Sequence, residues 1–212
     1  MNRADRRKHE LRERILTAAY ELFLLQGVSA TTIEEICARA DVANRTFFNH
    51  FSTRHEMLQA LAERRLTGFH EVVLDGCSDA TPRHLITLFD KIAAEMAGLG
   101  DNYRDVVGAM ITATGYGIPR GSSLHSTFFE LVKSGVAAGD VVTVHDPLTL
   151  ADVIVGALSG AIVNWATDQT YSLTSNMHDL AVALADLLSG HDPKPAARPR
   201  HRRVGRSAPE RR

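Results

Sequence analysis

The chain has 212 residues, 44% of them hydrophobic and 23% charged, enough apolar material for one medium domain or for a small domain leaning on a larger one. No run approaches roughly 18 consecutive apolar residues, so no membrane span is expected. The charged start (Arg3, Arg6, Arg7, Lys8) lacks the apolar stretch and cleavage site of a secretory signal. The net charge of −1 hides a division. Residues 1–70 carry 11 Lys/Arg against 9 Asp/Glu, residues 71–190 carry 5 against 14, and residues 191–212 carry 8 against 2. Both ends are basic around an acidic middle, which suits a chain that offers its ends to a polyanion. Cys37 and Cys77 are far apart and belong to no CxxC or His/Cys cluster. They read as reduced thiols of a cytoplasmic protein.

Helical periodicity runs nearly throughout. Ile15, Ala18, Ala19, Leu22 and Phe23 share one face of a first helix that Gly27 stops. Thr31 and Thr32, followed by Glu34 and Glu35, start a short second helix. Asp41-Val42-Ala43 is a break, Asn44 can cap a third helix from Arg45 to Phe51, and Ser52 or Thr53 caps a fourth from about Arg54 to Leu74. Thr81-Pro82 opens a helix to about Met96, and Asp101 or Asn102 opens one to about Thr114. Gly115 to Ser123 holds three glycines and a proline and reads as a loop or a broken helix. His125 to Ala138 is helical. Asp146-Pro147 caps a segment, Leu148 to Asp168, that is apolar on nearly every face. Asn176 starts a last helix with Met177, Leu180, Ala181, Leu184, Leu187 and Leu188 in one stripe. From His191 the Pro/Arg-rich chain has almost nothing to bury and reads as a disordered basic tail. The expected fold is all-α with about nine helices. Residues 1–53 would form a three-helix DNA-binding domain, 54–190 a helical ligand-binding and dimerisation domain, and 191–212 the tail.

Two short helices joined by a tight turn, behind a longer one, make a helix-turn-helix unit whose third helix enters the DNA major groove. Ile33, Ile36, Val42 and Phe47 would fix its angle. Arg45, Thr46, Asn49 and His50 would face the bases, arginine suiting guanine and asparagine adenine. Asn44 lies at the start of the same helix. Thr32, at a helix N-terminus, suits a phosphate as well as a cap. Arg54 is a cation where the helix dipole disfavours one, which hints at a nearby phosphate.

The stretch from Arg14 to Leu58 resembles the N-terminal domain of TetR-type regulators. The resemblance rests on Phe23, Gly27, Thr32-Ile33-Glu34-Glu35-Ile36, Phe48-Asn49-His50-Phe51 and Arg54. It implies a cytoplasmic homodimer that represses by occupying a two-fold symmetric operator in double-stranded DNA and releases it when a small-molecule effector binds. The family often has glycine where Arg45 stands and tyrosine where Phe48 stands. Arg45 adds a base- or phosphate-seeking group, and Phe48 lacks a hydroxyl that could bond a phosphate.

Beyond this quarter of the chain, Tyr103, Met110, Phe128, Asn164 and Trp165 are candidates to line a cavity for a hydrophobic or amphipathic molecule. Gly156, Ser159 and Gly160, with Met177, Leu180, Leu184 and Leu188, are candidates for a self-complementary dimer face. No catalytic, metal or cofactor site is expected. The His-Glu pairs at 9–10, 55–56 and 70–71 lack the second histidine of a zinc-protease motif, and no G-x-S-x-G, P-loop or G-x-G-x-x-G occurs. A ligand-independent DNA-binding or architectural protein is the alternative reading, and a helical-bundle enzyme a more distant one.

Overall fold

The computed structural model describes residues 2–74, 80–115, 118 and 120–190. The basic tail and Cys77 therefore lie outside the described residues. Among these are nine helices and no strand: α1 (Arg3–Gln26), α2 (Ile33–Arg39), α3 (Asn44–His50), α4 (Arg54–Leu74), α5 (Thr81–Gly98), α6 (Asp101–Thr114), α7 (Ser123–Ala138), α8 (Pro147–Thr167) and α9 (Leu173–Leu188).

The helix ends follow from side chains. Asn2 and Asp5 form a reciprocal capping box at the start of α1, and Thr32 and Glu35 form another at α2. Gly27 ends α1 with φ +86°, a conformation that an L side chain rarely adopts. At α4 it is the Thr53 hydroxyl that accepts the Glu56 amide, while the Glu56 carboxylate accepts the Ser52 amide. Asp146 caps α8 with proline at the next position. Two boundaries differ from expectation. Asn44 is already inside α3, and Ala43 takes the cap position with no side-chain bond. α9 begins at Leu173, because Ser172 accepts the Ser175 amide and Asn176 donates back to the Ser172 carbonyl.

One continuous core joins all nine helices. Near the N-terminus it holds Ile15, Phe23, Ile36, Phe47 and Phe51, all fully buried, together with Met57 and Leu61 from the first turns of α4. Further along, α5 lies against α9 and α7 against α8, while α6 contacts α1, α4 and α8. Each fully buried Leu, Ile or Phe contributes roughly 1.5–3 kcal/mol.

α8 is long and apolar enough to cross a membrane by length and composition, although no unbroken apolar run in it is long. Its apolarity serves packing on more than one side. Leu150, Ala151, Ile154, Val155, Leu158, Ala161 and Trp165 are buried, with α6, α7 and α9 as neighbours.

The expected dimer stripe on α9 needs correction. Met177, Leu184 and Leu188 are buried within this chain's own core, and Leu180 is half-buried. A helical apolar period marks a buried face without saying whose atoms bury it. The apolar groups left open are Val153 and the glycines Gly156 and Gly160 on α8, with Val182 and Leu187 on α9.

Gly135 on α7 shows how close the packing is. A β-carbon there would collide with the Thr81 hydroxyl, the Val141 side chain and the Asp140 carboxylate. Gly98, near the end of α5, has open space around the same position. Gly135→Ala should therefore lower stability by about 1–3 kcal/mol through overpacking, whereas Gly98→Ala should leave it unchanged or raise it by up to about 1 kcal/mol through helix propensity. Urea melts of the two variants check this.

Candidate DNA-reading helix and apolar cavity

The candidate reading surface is α3. Phe47 faces inward and packs against Phe51, with ring centroids 5.7 Å apart. This anchoring turns Asn44, Arg45, Phe48 and Asn49 outward, with Thr46 and His50 half-buried at the edges. Arg12 of α1 braces the far end. Its guanidinium lies 4.5 Å from the centre of the Phe51 ring, and it donates to the His50 carbonyl at 3.3 Å. Burial, and then the cations Lys8 and Arg12, hold the His50 imidazole below its ordinary pKa. His50 therefore presents itself at neutral pH as a neutral donor–acceptor rather than as a charge.

The turn between α2 and α3 is held by backbone and side chain together. Asp41 adopts φ +50°, a left-handed conformation that Asp tolerates better than most residues. The Val42 amide donates to the Cys37 carbonyl at 3.0 Å, and Arg14 reaches the carbonyls of Ala40 and Asp41. Cys37 is a buried free thiol in this packing, its pKa raised first by burial.

Thr32 and Arg54 sit differently from the other predicted contacts. The Glu35 carboxylate accepts both the Thr32 amide at 2.7 Å and the Thr32 hydroxyl at 3.0 Å. The backbone donor that a phosphate would use is thus already taken. These bonds to Thr32, backbone first, hold Glu35 below the usual carboxylate pKa. Arg54 turns back into the molecule, donating to the Thr31 carbonyl at 2.6 Å and to the Val28 carbonyl, with its guanidinium 5.2 Å from the centre of the Phe23 ring. Its geometry is that of a staple between α4 and the loop after α1.

Further along, an apolar cavity of about 110 Å³ opens between α4, α5, α6 and α8. That is the scale of a single aromatic ring, and below the ~300–1,000 Å³ of pockets for drug-sized ligands. Tyr103 and Met110 line it. Phe128 is fully buried in α7 and does not line it. Trp165 stands behind the wall, 6.2 Å from Tyr103 between ring centres. Asn164 is exposed and lines a separate groove with Gly156 and Gly160. Adjacent positions on a helix point about 100° apart, so Asn164 and Trp165 do not form a pair.

Two wall residues were missed or misassigned by sequence reasoning. Ser159, expected at a dimer face, lines the cavity with its hydroxyl buried and unbonded. Arg65 was not singled out. Its signal lay in the spacing of Ala62, Arg65 and Leu66, which puts a cation on an apolar helical face. Among the described residues no group of three His, Cys, Asp or Glu could hold a metal ion.

Comparison with known proteins gives this geometry its context. Residues 15–61 match the family model for bacterial regulatory proteins of the tetR family, a span from α1 into α4. The transcriptional repressor BepR of Brucella suis is 24% identical over 177 residues, covering 78% of this chain and 85% of that protein. A TetR-family transcriptional regulator from Pectobacterium atrosepticum superposes with a TM-score of 0.68 at 22% identity, covering 92% of this chain and all of that one. RolR, solved in complex with resorcinol, superposes with a TM-score of 0.65 at 19% identity, covering 87% of this chain and 90% of that one. The segment from α1 into α4 is thus similar to the DNA-binding domain of tetR-family regulatory proteins, and the described chain has the fold of solved TetR-family regulators.

Proposed function

We propose that the protein is a dimeric, cytoplasmic repressor that occupies a two-fold symmetric operator and releases it when a small apolar or amphipathic molecule enters the cavity. The carrying observation is the outward face of α3, where Asn44, Arg45 and Asn49 project from a helix locked by buried Phe47. Arg45 and Asn49 read base edges. Asn44, Thr46 and His50 contact the backbone or adjoining edges. Thr32 and Arg54 hold the reading unit in shape. Support for repression comes from BepR, described as a transcriptional repressor. Support for a small effector comes from the cavity and from RolR, whose complex contains resorcinol.

The route from cavity to DNA runs through α4 and α6, which both line the cavity. α4 is tied to the reading unit by Arg54 and by Arg64, which donates to the Thr17 hydroxyl of α1 at 3.0 Å. α6 is tied to it by Asn102, which donates to the Leu24 carbonyl at 2.9 Å. A ligand that favours one spacing of α4 and α6 thereby favours one placement of α3.

Pairing two reading helices requires a self-complementary face. The open stripe of Val153, Gly156 and Gly160 on α8, beside Val182 and Leu187 on α9, fits that need, because glycines permit close helix approach.

Arg45→Ala should weaken binding to the operator by about 1–3 kcal/mol more than binding to scrambled DNA, the cost of one bidentate base contact. Footprint titrations on both DNAs measure the difference. Equal losses would make Arg45 a phosphate contact, and no loss would place it off the DNA.

Leu187→Glu should dissociate the dimer while leaving each subunit folded, whereas Leu184→Glu should unfold the subunit by burying an unpaired charge. Light scattering with circular dichroism separates the two outcomes. A Leu187→Glu protein that stays dimeric places the interface elsewhere.

A further inference from the structure

The cavity wall is apolar except at a few points, and those points are chemically uneven. Thr114 is satisfied, its hydroxyl donating to the Met110 carbonyl at 3.0 Å. Ser159 has a buried hydroxyl with no partner. Among the described lining residues Arg65 is the only cation. Its Nε is buried and unbonded, and its Nη2 makes only a long 3.5 Å contact to the Tyr103 hydroxyl. The guanidinium lies 5.2 Å from the centre of the Tyr20 ring. Among the described residues no carboxylate reaches ion-pair distance of it, the Glu95 carboxylate across the groove acting on it only at longer range, whereas its neighbour Arg64 pairs with Glu13. The half-buried guanidinium beside two tyrosines keeps one buried N–H without an acceptor, a cost that a ligand oxygen would relieve.

Its position adds to this. Arg65, Met96 and Tyr103 line both the apolar cavity and an adjoining groove bordered by Arg64, Gly68, Ile92, Glu95 and Leu99. The guanidinium therefore stands where a dry chamber meets an open one. An apolar body would fill the chamber, and a head group at its rim would meet the free N–H.

We infer that the effector is an apolar carboxylate, its ring or short chain in the cavity and its carboxylate bonded to Arg65, with Ser159 offering a second hydrogen bond from the α8 wall. This rests on the effector-release reading above and specifies the ligand class. The chemistry favours the ionised acid over its neutral amide. A charge-assisted bond to guanidinium is about twice as strong as a neutral one.

The test uses the full-length protein and two matched pairs of probes, benzoate with benzamide and octanoate with octanamide. The single tryptophan, Trp165, touches Tyr103 at the cavity wall and reports binding by its fluorescence. Wild-type protein should bind at least one acid about tenfold or more tightly than its amide. Arg65→Gln should abolish that preference, and Arg65→Lys should keep most of it. Thermal melts confirm that the variants fold. Equal affinity for acid and amide, binding of neither acid, or a preference that survives in Arg65→Gln would overturn the inference. Gel shifts with the same probes separate this from the effector reading. Operator release by an amide that ignores Arg65 would sink the carboxylate site and keep effector control. Arg65-dependent binding of an acid without release would keep the site and sink that control.

Discussion

The structure depends on the junction at the start of α4. Arg54 places a cation at a helix N-terminus, where the macrodipole opposes it. The opposition is offset by the carbonyls of Val28 and Thr31 and by the face of Phe23. Burial is what pulls its pKa down. The consequence is mechanical. The loop after α1, the N-terminus of α2 and the first turn of α4 are tied together, and buried Met57 and Leu61 extend the same core beneath them. A boundary between residues 53 and 54 separates helices α3 and α4 in the sequence. The packing makes α4 a shared element.

That sharing gives a physical basis for coupling. The cavity is walled by α4 and α6, and each has a polar tie to α1 or to the loop behind it. α4 and α6 are also tied to each other, Gln59 donating to the Ala113 carbonyl at 2.9 Å. On the proposed reading, a ligand seated between them would act on two braced helices, one following the reading helix and the other tied to α1. The cavity is small, so a guest larger than a single ring must move at least one of its four walls.

The DNA-reading end was the most legible part of the sequence because its signals are local. The Thr32–Glu35 capping box, Gly27 at a positive φ and the alternation of buried Phe47 with outward Arg45 and Asn49 are set within a few residues. The helical order of the remaining chain was legible for the same reason. What periodicity could not supply was the identity of the neighbour. Met177, Leu184 and Leu188 form a true apolar stripe, but α5 of the same chain lies against α9. Asn164 and Trp165 are adjacent in sequence and on different faces of α8. Arg54 carries the charge of a phosphate ligand, yet its partners are carbonyls about 23 to 26 residues away in the chain. Arg64 and Arg65 are adjacent in the sequence, and nothing local separates their roles. Only the packing shows that Arg64 finds a carboxylate and Arg65 does not.

On the proposed reading, a pair of α3 helices held at a fixed separation by the α8–α9 face reads a symmetric DNA site. The most direct measurement is selection of DNA bound by the full-length protein from a random-sequence library. The account predicts enrichment of an inverted repeat whose half-sites are centred about one helical turn, or a multiple of it, apart. Enrichment of a single unrepeated half-site, or no enrichment above the starting library, would contradict it.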